Sequence, residues 1–114
     1  MDSKEEKLSW TTMRPGDATN FPQAGNTVSV HYKASLAEDG TVFDNSRDRK
    51  RQLQFKVGAG QVLPAWEEVI PKISLGQIVE VKAAPEHCYG MAGYPPIVPP
   101  NATLVFEIEL ISFN

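Results

Sequence analysis

Apolar residues alternate with polar ones along several separate stretches of the chain, and this period of two restricts the fold more than any other feature. Val28, Val30, Tyr32, Ala34 and Leu36 interleave with Ser29, His31, Lys33 and Ser35. Leu53, Phe55 and Val57 interleave with Gln54 and Lys56, and Val79, Val81 and Ala83 with Glu80 and Lys82. Leu104, Phe106, Ile108 and Leu110 interleave with Val105, Glu107 and Glu109. Successive side chains of a strand point to opposite faces, so each stretch predicts a half-buried strand of an antiparallel sheet. A short opening strand through Leu8, Trp10 and Thr12 is expected before the turn at Arg14-Pro15-Gly16-Asp17. Glu38-Asp39-Gly40 turns the chain into Val42 and Phe43.

Only the segment from Pro64 to about Ile70 reads as helix, with Leu63, Trp66, Val69 and Ile70 at helical spacing. Proline is accepted in a first helical turn, so Pro64 fits the start. Pro71 lacks an amide proton and disfavours helix at the residue before it, so the helix ends or kinks near Ile70. One apolar helix stripe on one apolar sheet face predicts a two-layer α+β domain. The stretch from Pro85 to Asn101, with Pro95-Pro96 and Pro99-Pro100, reads as a long apolar loop. Such loops are uncommon in a compact domain unless they have a task, such as walling a site.

The 114 residues suit one domain, and no repeat or linker divides them. Residues 1–8 read as a charged, frayed N-terminal extension and residues 9–114 as the domain. No apolar run approaches the roughly 20 residues of a membrane span. A lone Cys88 and a charged first segment without signal character suggest a cytoplasmic protein. Cys88 itself reads as a small hydrophobe. The net charge of -3 argues against nucleic acid, although Arg47, Arg49, Lys50 and Arg51 with Asp48 form a local basic cluster. That cluster reads as a solvated loop, with Arg49 the candidate to turn inward and hold a carboxylate.

Catalytic motifs are not found. Gly58-Ala59-Gly60 begins like a dinucleotide fingerprint, but Leu63 stands where the third glycine belongs. His31 and His87 lie on different segments without partners at metal-ligand spacing, so no metal and no cofactor is expected. What stands out is a set of aromatics, Tyr32, Phe43, Phe55 and Trp66, each on its own short segment, followed by Tyr89 and Phe106. Together they have the layout of one apolar cavity with polar groups at its edge, although Tyr32, Trp66 and Phe106 taken by themselves read equally as plain core.

From Trp10 to Phe113 the chain resembles the FK506-binding protein family, the immunophilin prolyl isomerases. The resemblance rests on Val30-His31-Tyr32, Val42-Phe43-Asp44-Asn45-Ser46-Arg47-Asp48-Arg49, Ala65-Trp66-Glu67-Glu68, Tyr89-Gly90 and the run Ile97 to Phe106. It implies an antiparallel sheet of about five strands wrapped around one short helix, with a ligand cavity between them. It also implies a peptidyl-prolyl cis-trans isomerase, similar to the small single-domain members, that is monomeric and binds X-Pro segments. Macrolides of the FK506 and rapamycin type are implied as inhibitors, with a further protein joining the drug-bound complex. The alternative is a module that holds proline segments or macrolides, with turnover incidental.

Position by position, the resemblance implies catalytic roles for Tyr32, Phe43, Asp44, Trp66, Tyr89 and Phe106. Trp66 becomes the cavity floor, with Phe55, Val62, Leu63 and Ile97 among its walls. Asp44, the Tyr89 hydroxyl and the backbone near Gln61 and Leu63 form the polar edge, and Arg49 pairs with Asp44 and Tyr32. Leu53, Tyr94 and Val98 complete the ligand-binding set. Leu53 stands where the family often has phenylalanine and Tyr94 where many members have histidine, which alters the rim that meets residues flanking the proline. Pro64-Ala65 and Pro71 are further departures, at the entry and end of the helix.

Overall fold

The computed structural model describes residues 7–114. Strands β1 (Leu8–Arg14), β2 (Thr27–Leu36), β3 (Val42–Asn45), β4 (Leu53–Lys56), β5 (Ile78–Ala83) and β6 (Leu104–Phe113) surround one short helix, α1 (Pro64–Val69). They form a six-stranded sheet of order β1-β5-β6-β2-β3, in which every pairing is antiparallel. The β2 edge that faces away from β6 is shared. Thr27–Val30 pair with β4, and Lys33–Ser35 pair with β3. Leu8 already pairs with Ala83, so β1 begins inside the segment read as a frayed extension; residues 1–6 of that segment lie outside the described residues.

Alternation decides which face is buried. Val28, Val30, Val79, Val81, Ile108 and Leu110 are fully excluded from water, while Glu80 and Lys82 point outward. The long β2–β6 pairing, from Val28 opposite Phe113 to Leu36 opposite Leu104, runs through the middle of the sheet. It carries Tyr32, Ala34 and Phe106 on its inner face.

Helix α1 has only six residues, and its N-cap position, Leu63, supplies no side-chain bond. So short a helix is marginal by itself and is held by packing. Ala65, Trp66 and Val69 are buried toward the sheet. Pro71 ends the α-helix where the sequence predicts: Ile70–Lys72 continues as one 3-10 turn, with the Ile73 amide donating to the Ile70 carbonyl. The segment after β5 opens with a second 3-10 turn, Pro85–His87. Farther along, Tyr94 and Val98 exchange two backbone hydrogen bonds of 2.8 Å.

The period-two reading makes a direct prediction. Ile108 is fully buried opposite Tyr32, so Ile108→Ala should lower unfolding stability by about 2–5 kcal/mol. Glu107→Ala, one residue earlier, removes a partly exposed ion pair with Lys33 and should cost about 0–1 kcal/mol. Urea unfolding of both variants checks the contrast.

Candidate functional site

A cavity of about 340 Å³ opens between α1 and the inner face of the sheet. Tyr32 and Ala34 reach it from β2, Phe43 and Asp44 from β3, Leu53 from β4 and Phe106 from β6. Gln61, Val62 and Leu63 line it from the β4–α1 loop, Trp66 from the helix, and Tyr89 from the segment after β5.

The Trp66 indole is the centre of the aromatic cluster. It meets Tyr32 and Phe106 edge to face, with ring centroids 5.0 and 5.6 Å away, and lies 6.0 Å from Phe55 in a tilted contact. Aromatic pairs in this geometry are attractive beyond the area they bury, by about 0.5–1.5 kcal/mol each. The indole N–H is buried with no hydrogen-bond partner among the described residues.

Beside the rings lies a triangle of polar groups. The Tyr32 hydroxyl donates to Asp44 Oδ2 at 2.5 Å, and Arg49 Nη2 donates to the same hydroxyl at 3.0 Å. Arg49 Nη1 closes the figure as an ion pair with Asp44 Oδ1, and its guanidinium lies 5.8 Å from the Tyr32 ring centre. Arg49 therefore holds a carboxylate as the sequence suggests, while its side chain stays exposed. Burial alone would raise the Asp44 pKa, but hydrogen bonds from Tyr32 and Arg49 and the guanidinium charge outweigh it, so the carboxyl sits below its ordinary range. Tyr32 moves the other way, raised by burial and by its bond to the carboxylate.

The backbone that sets this corner is itself held. Ser46 is fully buried; its Oγ accepts from the Tyr32 amide at 2.8 Å, and its own amide donates to the Tyr32 carbonyl at 2.9 Å. The Arg51 amide donates to the Ser46 carbonyl, closing the turn that carries Arg49. Sequence reasoning passed over Ser46. Its signal was a small hydroxyl residue in an otherwise charged run.

The remaining expected residues fall into two groups. Tyr32, Phe43, Asp44, Leu53, Gln61, Val62, Leu63, Trp66, Tyr89 and Phe106 share the lining, and Ala34 joins them. Ala34 was legible, because alternation puts it on the Tyr32 face of β2. Arg49, Phe55, Tyr94, Ile97 and Val98 are not part of the lining. Arg49 acts through Asp44, while Phe55 is buried behind the indole. Val98 is buried as well, whereas Ile97 is exposed. Tyr94, also exposed, stacks on Tyr89 at 5.3 Å and 20°.

The two histidines and the cysteine stand outside the lining. His31 lies 2.8 Å from Ser46 Oγ, and His87 Nε2 is 4.0 Å from Glu68. Burial pushes the Cys88 thiol up to about 11, so it is protonated at neutral pH. Among the described residues no three His, Cys, Asp or Glu side chains are placed to hold a metal ion. No described helix is long and apolar enough to cross a membrane. The arrangement can enclose an apolar group against aromatic faces and offer it a fixed carboxylate.

A depressed Asp44 pKa predicts acid sensitivity. The folded state favours the carboxylate, so its contribution is present above the unfolded value near 3.8 and is lost as pH falls through the lower folded value. Urea midpoints measured from neutral pH downward should fall less steeply in that acid window for Asp44→Asn than for the native chain.

Known proteins are similar to this chain over most of its length. Residues 18–111 match the family described as FKBP-type peptidyl-prolyl cis-trans isomerase. The chain is 46% identical over 100 residues to FK506-binding protein 1A of Emericella nidulans, covering 88% of this chain and 92% of that one. It is 42% identical over 97 residues to peptidyl-prolyl cis-trans isomerase Fkbp12 of Drosophila melanogaster, covering 85% and 89%. Against the human isomerase FKBP4 it is 47% identical over 101 residues, which is 89% of this chain and 22% of the longer relative. With its sheet, its helix and the extent of these matches, the chain belongs to the FKBP-type peptidyl-prolyl cis-trans isomerase family.

Proposed function

We propose that the Trp66 cavity takes the proline ring of an X-Pro segment and catalyses rotation about the bond that precedes it. The observation that carries this reading is the indole floor, enclosed by Tyr32 and Phe106 beside a fixed carboxylate. Rotation breaks no covalent bond. It must overcome a barrier of roughly 18–20 kcal/mol that comes from partial double-bond character in the amide.

The planar amide is more charge-separated than the twisted transition state. Transfer from water into an apolar site therefore removes solvation mainly from the ground state and lowers the barrier. Phe43, Leu53, Val62 and Phe106 supply that environment. Asp44, held in place by Tyr32 and Arg49, stands near the displaced carbonyl carbon, and the Tyr89 hydroxyl donates to a substrate carbonyl. The backbone N–H of Leu63 makes no hydrogen bond among the described residues and serves as a second donor. Each 1.4 kcal/mol of differential stabilisation is worth about tenfold in rate, so a few such contributions suffice without an acid-base pair.

The same cavity would take macrolides of the FK506 type, a ligand class that the relatives named FK506-binding protein support. Tyr94 and Ile97, both exposed, would meet residues flanking the proline, or a second protein bound over the drug.

Exchange spectroscopy on an X-Leu-Pro-Phe peptide tests the reading. Catalytic amounts of the protein should accelerate cis/trans exchange, and FK506 should abolish the acceleration. Binding of FK506 without acceleration would reduce the cavity to a binding module. Phe43→Ala should lower kcat/KM by about tenfold or more by removing apolar wall; unchanged turnover in a folded variant would contradict the assignment.

A further inference from the structure

The β4–α1 loop supplies three consecutive lining residues, Gln61, Val62 and Leu63, yet it belongs to neither the sheet nor the helix. What holds it is a carboxylate outside the lining. The Glu67 side chain accepts from the Gly58 amide through one oxygen and from the Gly60 amide through the other, each at 2.8 Å. Both glycines have positive φ, 82° and 72°, a backbone shape that glycine adopts readily and that turns both amides toward one acceptor. Bonds from backbone N–H to a carboxylate are charge-assisted and stronger than neutral ones.

Glu67 grips the other end of the loop as well. Its own amide donates to the Leu63 carbonyl at 3.1 Å, and the Trp66 amide donates to the same carbonyl at 3.0 Å. Gln61 adds a tie in the middle, its Oε1 accepting from the Lys56 amide at 2.9 Å. The loop from Gly58 to Leu63 is thus bound at both ends by the residue that follows the cavity floor in sequence. Leu63 is left with its carbonyl engaged and its N–H making no bond among the described residues.

We propose that Glu67 is a positioning residue for the isomerase reaction: it fixes the loop so that the Val62 wall and the Leu63 N–H keep their place relative to the Trp66 floor. It touches no substrate. Its effect passes through the loop backbone, and the inference rests on the cavity being the isomerase site. The chemistry requires a carboxylate. A glutamine has one acceptor oxygen and turns an NH2 donor toward the other glycine amide, so Glu67→Gln keeps the shape and gives up one of the two bonds.

The test pairs turnover with loop amides in the Glu67→Gln protein. Exchange spectroscopy on the X-Leu-Pro-Phe peptide should show kcat/KM about tenfold below native, carried mainly by kcat. The amide resonances of Gly58, Gly60, Val62 and Leu63 should broaden in relaxation-dispersion spectra, while the thermal midpoint stays close to native. Glu68→Gln, at a carboxylate that faces Lys72 and His87 instead of the loop, should leave both readouts unchanged. Native turnover in Glu67→Gln overturns the inference. So do loop amides that exchange as in the native protein, whatever the turnover. A native protein that accelerates nothing overturns the isomerase reading instead, and the loop amides then decide by themselves whether Glu67 holds the loop.

Discussion

The edge-to-face packing of Trp66 between Tyr32 and Phe106 is the contact on which the other features depend. A helix of six residues has almost no stability of its own, so it stands where its buried side chains find partners on the sheet. Tyr32 and Phe106 sit on adjacent central strands, where the β2–β6 register places Ala34 opposite Phe106. Ala34 is small and lines the cavity together with both rings. The contact that fastens helix to sheet therefore also leaves an aromatic floor open to a ligand.

The second constraint is electrostatic. A half-buried carboxylate beside aromatic rings would ordinarily be driven toward its neutral form, and a neutral acid would present a different group to an amide. Tyr32 and Arg49 prevent this by bonding both Asp44 oxygens. Their own placement comes from the Ser46 bonds and the closed turn behind them. The basic run that looks like solvated loop in the sequence thus divides its work. Arg49 serves the site, while Arg47 pairs with Glu109.

How far the site could be read from sequence depended on which residues lay on regular strands. Alternation identified the buried faces of β2, β5 and β6, and with them Tyr32 and Phe106; the same rule would have found Ala34. It could not say what lies above a buried face. Phe55 is buried like Tyr32 but packs on the indole without lining the cavity: it pairs with Val28, four residues from Tyr32, whereas Leu53 of the same strand pairs with Val30 and reaches the lining. Strand order was equally hidden, since alternation fixes a face and not a neighbour; the order comes from the pairings seen in the structure. Pro71 gave the helix end correctly, because a missing amide proton acts locally. Residues that hold loops were the hardest. Ser46 and Glu67 act through backbone amides, and a hydrogen bond from a side chain to a distant amide has no period in the sequence.

The central claim is that the proline ring lies on the Trp66 indole while the bond before it turns. Intermolecular nuclear Overhauser effects between the pyrrolidine protons of a bound X-Leu-Pro-Phe peptide and the protein's aromatic protons test it most directly. The account predicts contacts to the Trp66 indole and the Phe106 ring, lost when FK506 is added. Contacts confined to exposed Tyr94 and Ile97, with none to Trp66, would contradict it.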